Sequence, residues 1–391
     1  MNTTILNKEV QKFINSNLKS NITQLILKGS PFEDIPIQEI AEQIIAKNKC
    51  ERKLSTWFTS EKIYYPNKLN IEQTSSEITA KYKSNLISGD SIIDITGGYG
   101  VDAYYFSQKF KNVTHCEINE KLSKIVQHNF KQLKCSNIDC HFGDGLELIK
   151  NNSSKFDWIY ADPSRRNDIK GKVFLLKDCL PNIPENLDLL FKKTDNILLK
   201  ISPMLDISSA INELNFVKDV HIVAVENEVK ELLFILEKNY TQQIDIKTIN
   251  FNKSEIEKFD FTFQNEVSAT YSEPKKYLFG PNSAILKSGA FQEISAQLKI
   301  DKLHLHSHLY TSENLIDFPG RIFKIIQVTS YNKKELTKLI PSKKANITTR
   351  NFPETVAQIR KKTKFKDGGN QYLFFTTDLN NKLVVLISEK V

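Results

Sequence analysis

A glycine-rich bend after a short apolar segment is the feature of this chain best suited to chemistry. It reads Ser-Ile-Ile-Asp-Ile-Thr-Gly-Gly-Tyr-Gly over residues 91–100. Glycine adopts backbone conformations that side chains forbid, and it lets a ligand approach the main chain. A bend of this kind at the carboxyl end of a buried strand is where open α/β sheets bind nucleosides. We therefore predict a nucleoside-cofactor site at this bend, formed by Asp94, Thr96, Gly97, Gly98 and Gly100.

Three further acids follow candidate strands and are expected to face the same crevice. Glu117 lies about 20 residues beyond the bend, where nucleotide-binding sheets carry a carboxylate that accepts from the ribose hydroxyls. Asp144 stands between two glycines after the next strand and is placed to accept from the exocyclic amine of adenine. Asp162, followed by Pro163, ends the strand after that. These acids complete the predicted cofactor site.

The spacing and charge of this site favour S-adenosylmethionine over NAD. Both cofactors suit the bend and Glu117, but Gly-Gly-x-Gly differs from the Gly-x-Gly-x-x-Gly that presents a helix N-terminus to a pyrophosphate. S-adenosylmethionine has no phosphate, and acids such as Asp94 and Asp162 suit its sulfonium cation. Taken alone, Glu117 or Asp144 is equally well interpreted as the cap of a helix or turn.

The elements that position these residues alternate between strand and helix patterns. Helices are predicted over Asp102–Phe110 and Asn119–Leu133. Repeated strand–helix units predict a parallel sheet with right-handed crossovers. The predicted strands are Ile92–Thr96, Val113–Glu117, Ile138–Phe142, Trp158–Ala161 and Asn196–Ile201.

The pattern changes near residue 220. His221–Val225 and Leu232–Leu236 are separated only by Glu226–Glu231, which is too short for a crossover helix. These two strands are therefore expected to pair antiparallel. A parallel sheet that ends in an antiparallel pair predicts an α/β fold, and its strand order resembles the Rossmann-like sheet of class I methyltransferases.

Four units are predicted along the chain. Residues 1–80 form a helical N-terminal region, and residues 81–240 form the methyltransferase-like domain. Glycines and prolines punctuate a small unit over 241–320. Residues 321–391 form a basic α+β unit, with a strand at Ile322–Val328, a helix from about Pro353 to Lys362, and a hairpin.

Composition limits the class of protein. The 391 residues are 40% hydrophobic and 26% charged, and no apolar run approaches the ~20 residues of a membrane span. The N-terminus lacks a signal peptide's apolar core, so we expect a cytoplasmic protein without a membrane partner. Five cysteines without a Cys-x-x-Cys pair predict reduced thiols, with neither disulfides nor a metal site. Without oligomerisation heptads, a monomer is the default.

Positive charge is concentrated in the last unit. Residues 321–391 hold 15 Lys and Arg against five Asp and Glu, a net +10 in a chain of net +8. Such a segment is typical of a polyanion-binding surface, although a solvated face in a lysine-rich protein is the alternative. The residues predicted to contact nucleic acid here are Arg350, Arg360, Lys361, Lys362 and Lys364.

An ordered series of motifs runs through the chain. Its members are Leu69–Lys83 (LNIEQTSSEITAKYK), Asp94–Asp102 (DITGGYGVD), His128–Phe130 (HNF), Asp162–Arg166 (DPSRR), Ser202–Asp206 (SPMLD) and Phe318–Arg321 (FPGR). Together they resemble the bacterial class I S-adenosylmethionine-dependent methyltransferases with a C-terminal THUMP-like domain. In that family a small ferredoxin-like domain lies between the catalytic and THUMP-like parts. The resemblance covers nearly the whole chain and is weakest over the first 50 residues.

The resemblance implies methyl transfer to a base of structured RNA, tRNA or rRNA, positioned by the basic C-terminal unit. In Asp162-Pro163-Ser164-Arg165-Arg166, serine and arginine replace the second proline and the aromatic residue of enzymes that methylate exocyclic amines. Adenine-N6 methylation is therefore disfavoured, and the motif is closer to the Asp-Pro-Pro-Arg of some RNA methyltransferases. Asp162, Pro163 and Arg165 are the expected catalytic residues, with Arg165 and Arg166 gripping RNA. Salt bridges to the next helix are the alternative for both arginines.

Two functional alternatives stay open, and one motif is unassigned. The chain could be a non-catalytic RNA-binding protein that keeps this fold, or it could methylate a protein or a small molecule. In His304-x-His306-x-His308, a strand would place all three imidazoles on one face. That face is expected to be a polar surface rather than a metal site.

Overall fold

The computed structural model describes residues 1–165, 175–253 and 255–391, and for Arg165 it describes the backbone only. The chain divides into two compact units. The first comprises Met1–Lys218 and Phe234–Thr241, and the second comprises Asp219–Leu233 and Gln242–Val391. Among the helices described, none combines the length and apolar character needed to cross a membrane.

Helices form the N-terminal part of the first unit, as the sequence predicted. In the longest of them Ile37, Ile40, Ala41 and Ile44 recur at spacings of three and four and are all buried. After a 3₁₀ turn at Thr3–Leu6, the helices are α1 (Lys8–Ser16), α2 (Ile22–Lys28), α3 (Ile37–Lys53), α4 (Ser55–Thr59), α5 (Lys68–Gln73) and α6 (Glu77–Leu86).

A parallel sheet follows. Its strands are β1 (Ser91–Asp94), β2 (Asn112–Glu117), β3 (Ile138–Phe142), β4 (Trp158–Ala161) and, after the short antiparallel pair β5 (Ser164–Arg165) and β6 (Cys179–Leu180), β7 (Asn196–Ile201). The helices between and after them are α7 (Val101–Phe106), α8 (Glu120–Gln132), α9 (Gly145–Asn151), α10 (Ile183–Phe191) and α11 (Ile207–Glu213).

The order of this sheet is β3-β2-β1-β4-β7, and each of its adjacent pairs is parallel. The predicted α/β class is confirmed, and the predicted strands agree within two residues at each end. Helix α7 ends at Phe106, four residues earlier than predicted. From β1 the chain continues to β2 and β3 on one side of β1, and it then continues to β4 and β7 on the other side. This reversal opens a crevice at the carboxyl ends of β1 and β4, the usual ligand position in such sheets.

The second unit begins with four hydrogen-bonded strands. They are β8 (Val217–Val225), β9 (Glu228–Glu237), β10 (Asp245–Phe251) and β11 (Ile256–Thr262). The first two residues of β8 and the last four of β9 are counted with the first unit. Glu226 and Asn227 form the turn between β8 and β9, and both have positive φ, at 49° and 62°. So tight a connection makes the two strands antiparallel, as predicted. Strand β10 then pairs parallel with β8, and β11 antiparallel with β10.

A seven-stranded sheet forms the rest of the second unit, in the order β13-β14-β12-β15-β18-β17-β16. Its strands are β12 (Tyr277–Pro281), β13 (Asp301–Lys302), β14 (Tyr310–Ser312), β15 (Gly320–Ser330), β16 (Asn346–Arg350), β17 (Gln371–Thr377) and β18 (Leu383–Lys390). Its helices are α12 (Ser283–Ser288), α13 (Glu293–Leu298), α14 (Lys333–Leu339) and α15 (Val356–Thr363). Because β12 pairs with β15, the sheet runs across the predicted border at residue 320.

Candidate functional site

The glycine bend after β1 is packed tightly on one side and open on the other. A Cβ on Gly97 would lie 2.6 Å from the carbonyl oxygen of Cys116, and a Cβ on Gly100 would lie 2.5 Å from the Phe130 ring. Gly98 has φ +59°, and the nearest atom to its added Cβ would be the Thr96 carbonyl oxygen at 3.8 Å. The bend therefore presents its backbone to open space at Gly98.

Glu117, at the end of β2, is fixed against this bend. Its Oε2 accepts from the backbone N–H of Gly98 at 2.8 Å, and its Oε1 accepts from the backbone N–H of Asn119 at 2.7 Å. Burial raises the pKa of the carboxyl group, and the two amide hydrogen bonds oppose that rise. Each carboxylate oxygen can accept more than one hydrogen bond, so Glu117 is oriented while keeping capacity for a ligand.

A series of hydrogen bonds and one ion pair links the ends of β1, β4 and β7. Thr96 donates from its backbone N–H and its hydroxyl to Oδ1 of Asp94, at 2.9 and 3.2 Å. The Thr96 hydroxyl in turn accepts from the Asp162 backbone N–H at 2.7 Å. The Asp162 carboxylate forms an ion pair with Lys200 of β7. Sequence reasoning missed Lys200, although a lysine inside the apolar segment Asn196–Ile201 is a visible signal.

Asp94, the first member of this hydrogen-bonded series, is buried. Burial raises the pKa of its carboxyl group well above the usual range, and the negative charges of Asp102 and Asp162 add to the effect. A cation bound nearby would favour the ionised form of this group.

Asp144 caps helix α9. Its Oδ1 accepts from the backbone N–H groups of Leu146 and Glu147, at 2.8 and 3.4 Å, and its side chain is exposed. The next residue, Gly145, has no room for a side chain, because a Cβ there would lie 2.3 Å from the Ile95 carbonyl oxygen. The capping role considered from the sequence is thus present, and it brings Asp144 to the end of β1.

Two apolar side chains at the strand ends were also missed. Ile118, which follows Glu117, is 69% exposed, and Phe142, which ends β3, is 61% exposed. Large apolar groups at the same crevice offer surfaces for the faces of a flat ring. The sequence signal was an apolar residue beside each strand-ending polar group.

A buried network ties the segment before β1 to helix α7. Oδ2 of Asp102 accepts from the hydroxyls of Ser75 and Tyr160, at 2.8 and 2.9 Å. The ammonium of Lys83, which is fully buried, lies 3.2 Å from Oδ1 of Asp102. Since Asp102 stands two residues after Gly100, this network fixes the helix that begins at the bend.

The structure describes the remaining predicted substrate residues near Asp162 to different extents. Pro163 is buried beside Asp162. The backbone of Arg165 pairs with Cys179 in the short β5–β6 sheet, whereas its side chain and all of Arg166 lie outside the described residues.

The basic residues of the second unit are not equivalent. Arg360 pairs with Asp367 and donates to two backbone carbonyl groups, and Lys362 pairs with Glu354 at 2.7 Å. These two side chains hold α15 to its surroundings.

Arg350 is half-buried, and burial, followed by the charge of Arg321, lowers its pKa. Lys361 and Lys364 are exposed. These two lysines are therefore the predicted contacts best placed to meet a polyanion.

The histidine motif lies in a turn segment between β13 and β14, so the expectation of a shared strand face was wrong. His304 Nε2 contacts Oδ1 of Asn381 at 3.1 Å, and its Nδ1 contacts the side-chain amide of Asn351 at 2.9 Å. Within the described ranges, no cluster of three or more His, Cys, Asp or Glu residues could hold a metal ion.

Comparisons with known proteins agree with this architecture. Residues 277–319 match a ferredoxin-like domain family, and residues 320–390 match the THUMP domain-like family. The chain is similar to the crystal structure of an inferred methyltransferase from Porphyromonas gingivalis W83, at 31% identity and a TM-score of 0.88, covering 100% of this chain and 99% of that one.

A more distant similarity is to an inferred RNA methyltransferase from Pyrococcus horikoshii. That pair has 14% identity and a TM-score of 0.35, covering 48% of this chain and 98% of that one. A search of curated proteins found no match.

Proposed function

We propose that this chain, which belongs to the bacterial methyltransferase family marked by ferredoxin-like and THUMP-like domains, methylates a base of structured RNA with S-adenosylmethionine. Its proposed substrate is a cytoplasmic tRNA or rRNA. The basic C-terminal unit, residues 321–391, is proposed to position that RNA.

One observation carries the proposal. Gly98 faces open space beside a carboxylate that the protein itself has oriented, at the crevice where parallel sheets bind nucleosides. An ordinary structural loop would not require glycine at 97 and 100 for packing and leave Gly98 uncovered between them. The arrangement supports a nucleoside ligand.

The residues at this crevice fit S-adenosylmethionine. Glu117 would accept from the ribose hydroxyls, and the exposed side chains of Ile118 and Phe142 would cover the faces of the adenine ring. The free oxygen of Asp144 would accept from the adenine amine. The acid side chain of Asp94 would face the positive end of the cofactor.

When bound, the cofactor supplies a methyl group on a positively charged sulfur, which makes acid–base assistance a minor requirement. Alignment of the acceptor is the larger one. Asp162 is held by its backbone to Thr96 and by its carboxylate to Lys200, so it is oriented without the substrate. We assign it to accept a hydrogen bond from the methyl acceptor and to take its proton, beside Pro163 and Arg165.

RNA contact is assigned to two regions. Arg165 and Arg166 stand three and four residues after Asp162 and would meet the phosphates nearest the reacting base. In the C-terminal unit the exposed Lys361 and Lys364 and the half-buried Arg350 would contact other backbone phosphates of the RNA. Because Arg360 and Lys362 already pair with acids, we give them a supporting role.

The decisive experiment compares modified nucleosides in tRNA and rRNA from a deletion strain with those of the parent, by mass spectrometry. We expect one methylated nucleoside to vanish and to return with the wild-type gene. The matched control is a strain that carries Asp162→Asn, which should not restore it. Retention of every modification would favour a non-catalytic RNA-binding protein, or a protein or small-molecule substrate.

A further inference from the structure

A cavity lies in the second unit, and none of its lining residues belongs to the proposed methyl-transfer site. Its volume is about 450 Å³, within the range of small-molecule sites. Apolar side chains from Val267, Phe291 and Leu305 form part of its wall. The wall also carries Lys302 and Glu293, one cation and one carboxylate. The cavity therefore combines apolar surface with one strong donor and one strong acceptor.

Lys302 is buried, and the groups around its ammonium only partly replace the water that it loses. Its Nζ donates to the Leu305 carbonyl oxygen at 3.0 Å and lies 5.8 and 6.0 Å from the ring centres of Phe291 and Tyr271. Among the described residues it has no ion pair within 4.0 Å. Burial lowers its pKa, and the charge of Glu293 opposes that effect. An ammonium has three donors, and among the residues that the structure describes only the Leu305 carbonyl oxygen accepts from it.

His308 contributes a stacked aromatic ring and a second buried polar atom. Its ring stacks on Phe291, with centres 3.6 Å apart and planes 19° from parallel. Its Nδ1 is buried and has no hydrogen-bond partner within the described ranges, and its φ is +51°. Burial, with the charges of Lys302 and Arg350 in support, lowers the pKa of His308 to about 4. The imidazole is thus neutral at pH 7 and adds no charge to the cavity wall.

We propose that this cavity binds an unstacked nucleobase, with guanine the best match. Guanine carries acceptors at O6 and N7, which suit Lys302, and N–H groups at N1 and N2, which suit Glu293. Its flat ring suits the apolar wall and the aromatic pair. A phosphate ion would satisfy Lys302 but would meet Glu293 as a like charge and leave the apolar wall uncovered. The site does not depend on methyl transfer.

The test measures base preference in the full chain without S-adenosylmethionine. The probes are two RNA pentamers, UUGUU and UUUUU, whose phosphates are identical, so general phosphate binding cancels in the ratio of their affinities. We expect the wild-type protein to bind UUGUU about tenfold more tightly, as one discriminating base contact would give. Equal affinities would overturn the proposal.

Two variants connect that preference to the cavity. Lys302→Met removes a buried cation while keeping a long side chain, so it should keep or raise thermal stability. Glu293→Gln removes the carboxylate with little change of shape. Each is expected to bring the preference to within about twofold, whereas Lys324→Met, on the exposed surface of β15, should preserve it. A folded Lys302→Met protein with full preference would refute the assignment.

Competition by free guanosine identifies the source of the base. Displacement of UUGUU by guanosine but not by adenosine would identify a free nucleoside as a ligand. A pentamer preference that guanosine does not reduce would identify a base within an RNA strand. Either result supports the proposed pocket, and S-adenosylmethionine titration of the same samples reports the methyltransferase site separately.

Discussion

Gly98→Asp should separate cofactor binding from folding. The φ of Gly98 is +59°, and an added Cβ meets nothing closer than 3.8 Å. The cost to folding is therefore the left-handed conformation alone, about 1 kcal/mol for an aspartate. For a unit of this size that corresponds to a fall in Tm of about 2–4 °C. The side chain itself would extend into the open space beside the bend.

The effect on binding should be much larger. The new carboxylate would occupy space proposed for the cofactor, next to Glu117. We expect at least a hundredfold loss of affinity, equivalent to about 2.7 kcal/mol. Calorimetric titration with S-adenosylhomocysteine measures the affinity, and scanning calorimetry measures Tm. Gly98→Asn, which tolerates the same φ without the charge, separates the steric effect from the electrostatic one.

Gly97→Ala is the matched control, because we expect it to lower stability strongly, whereas Gly98→Asp should mainly lower ligand affinity. Its Cβ would lie 2.6 Å from the Cys116 carbonyl oxygen and from the His115 ring, so the backbone must move. Overpacking of this kind costs about 1–3 kcal/mol of stability. If Gly98→Asp binds the ligand like wild type, or if Gly97→Ala is as stable as wild type, the assignment of the open and packed sides of the bend is wrong.

Three further outcomes are expected. Burial raises the pKa of Asp94, so the stability it contributes is complete in acid and is lost as pH rises through that pKa. Asp94→Asn should therefore unfold at the same or a higher temperature at pH 7 while binding S-adenosylmethionine more weakly, and a clear fall in Tm would contradict this. Asp162→Asn should lower kcat by about 10²–10⁴ and leave cofactor affinity within about tenfold, as measured by single-turnover methylation and titration. Replacing Lys361 and Lys364 by glutamine should reduce the dependence of log K on log salt by about 1.5, and an unchanged slope would exclude their phosphate contacts.

The strand order and the glycine bend could be predicted because their signals are local. Buried β-branched segments such as Ile92–Ile93 reveal strands, and a gap of a few residues forces an antiparallel pair. Helix ends were less accurate, because the end of α7 depends on contacts made after the helix forms. The predicted unit over 241–320 did not anticipate that β10 would join β8, since that pairing is set by tertiary register.

The amino-acid sequence by itself determined the glycine bend and the acids that end the strands, because these features act through the local backbone, and from them it predicted where a nucleoside would bind. Only the tertiary structure decided which charges are engaged. It paired Asp162 with Lys200, residues 38 positions apart, and it committed Arg360 to Asp367. It also placed His308 in a turn against Phe291, with Lys302 buried beside them. Such pairings depend on distances between elements, and residue spacing along one chain does not encode those distances.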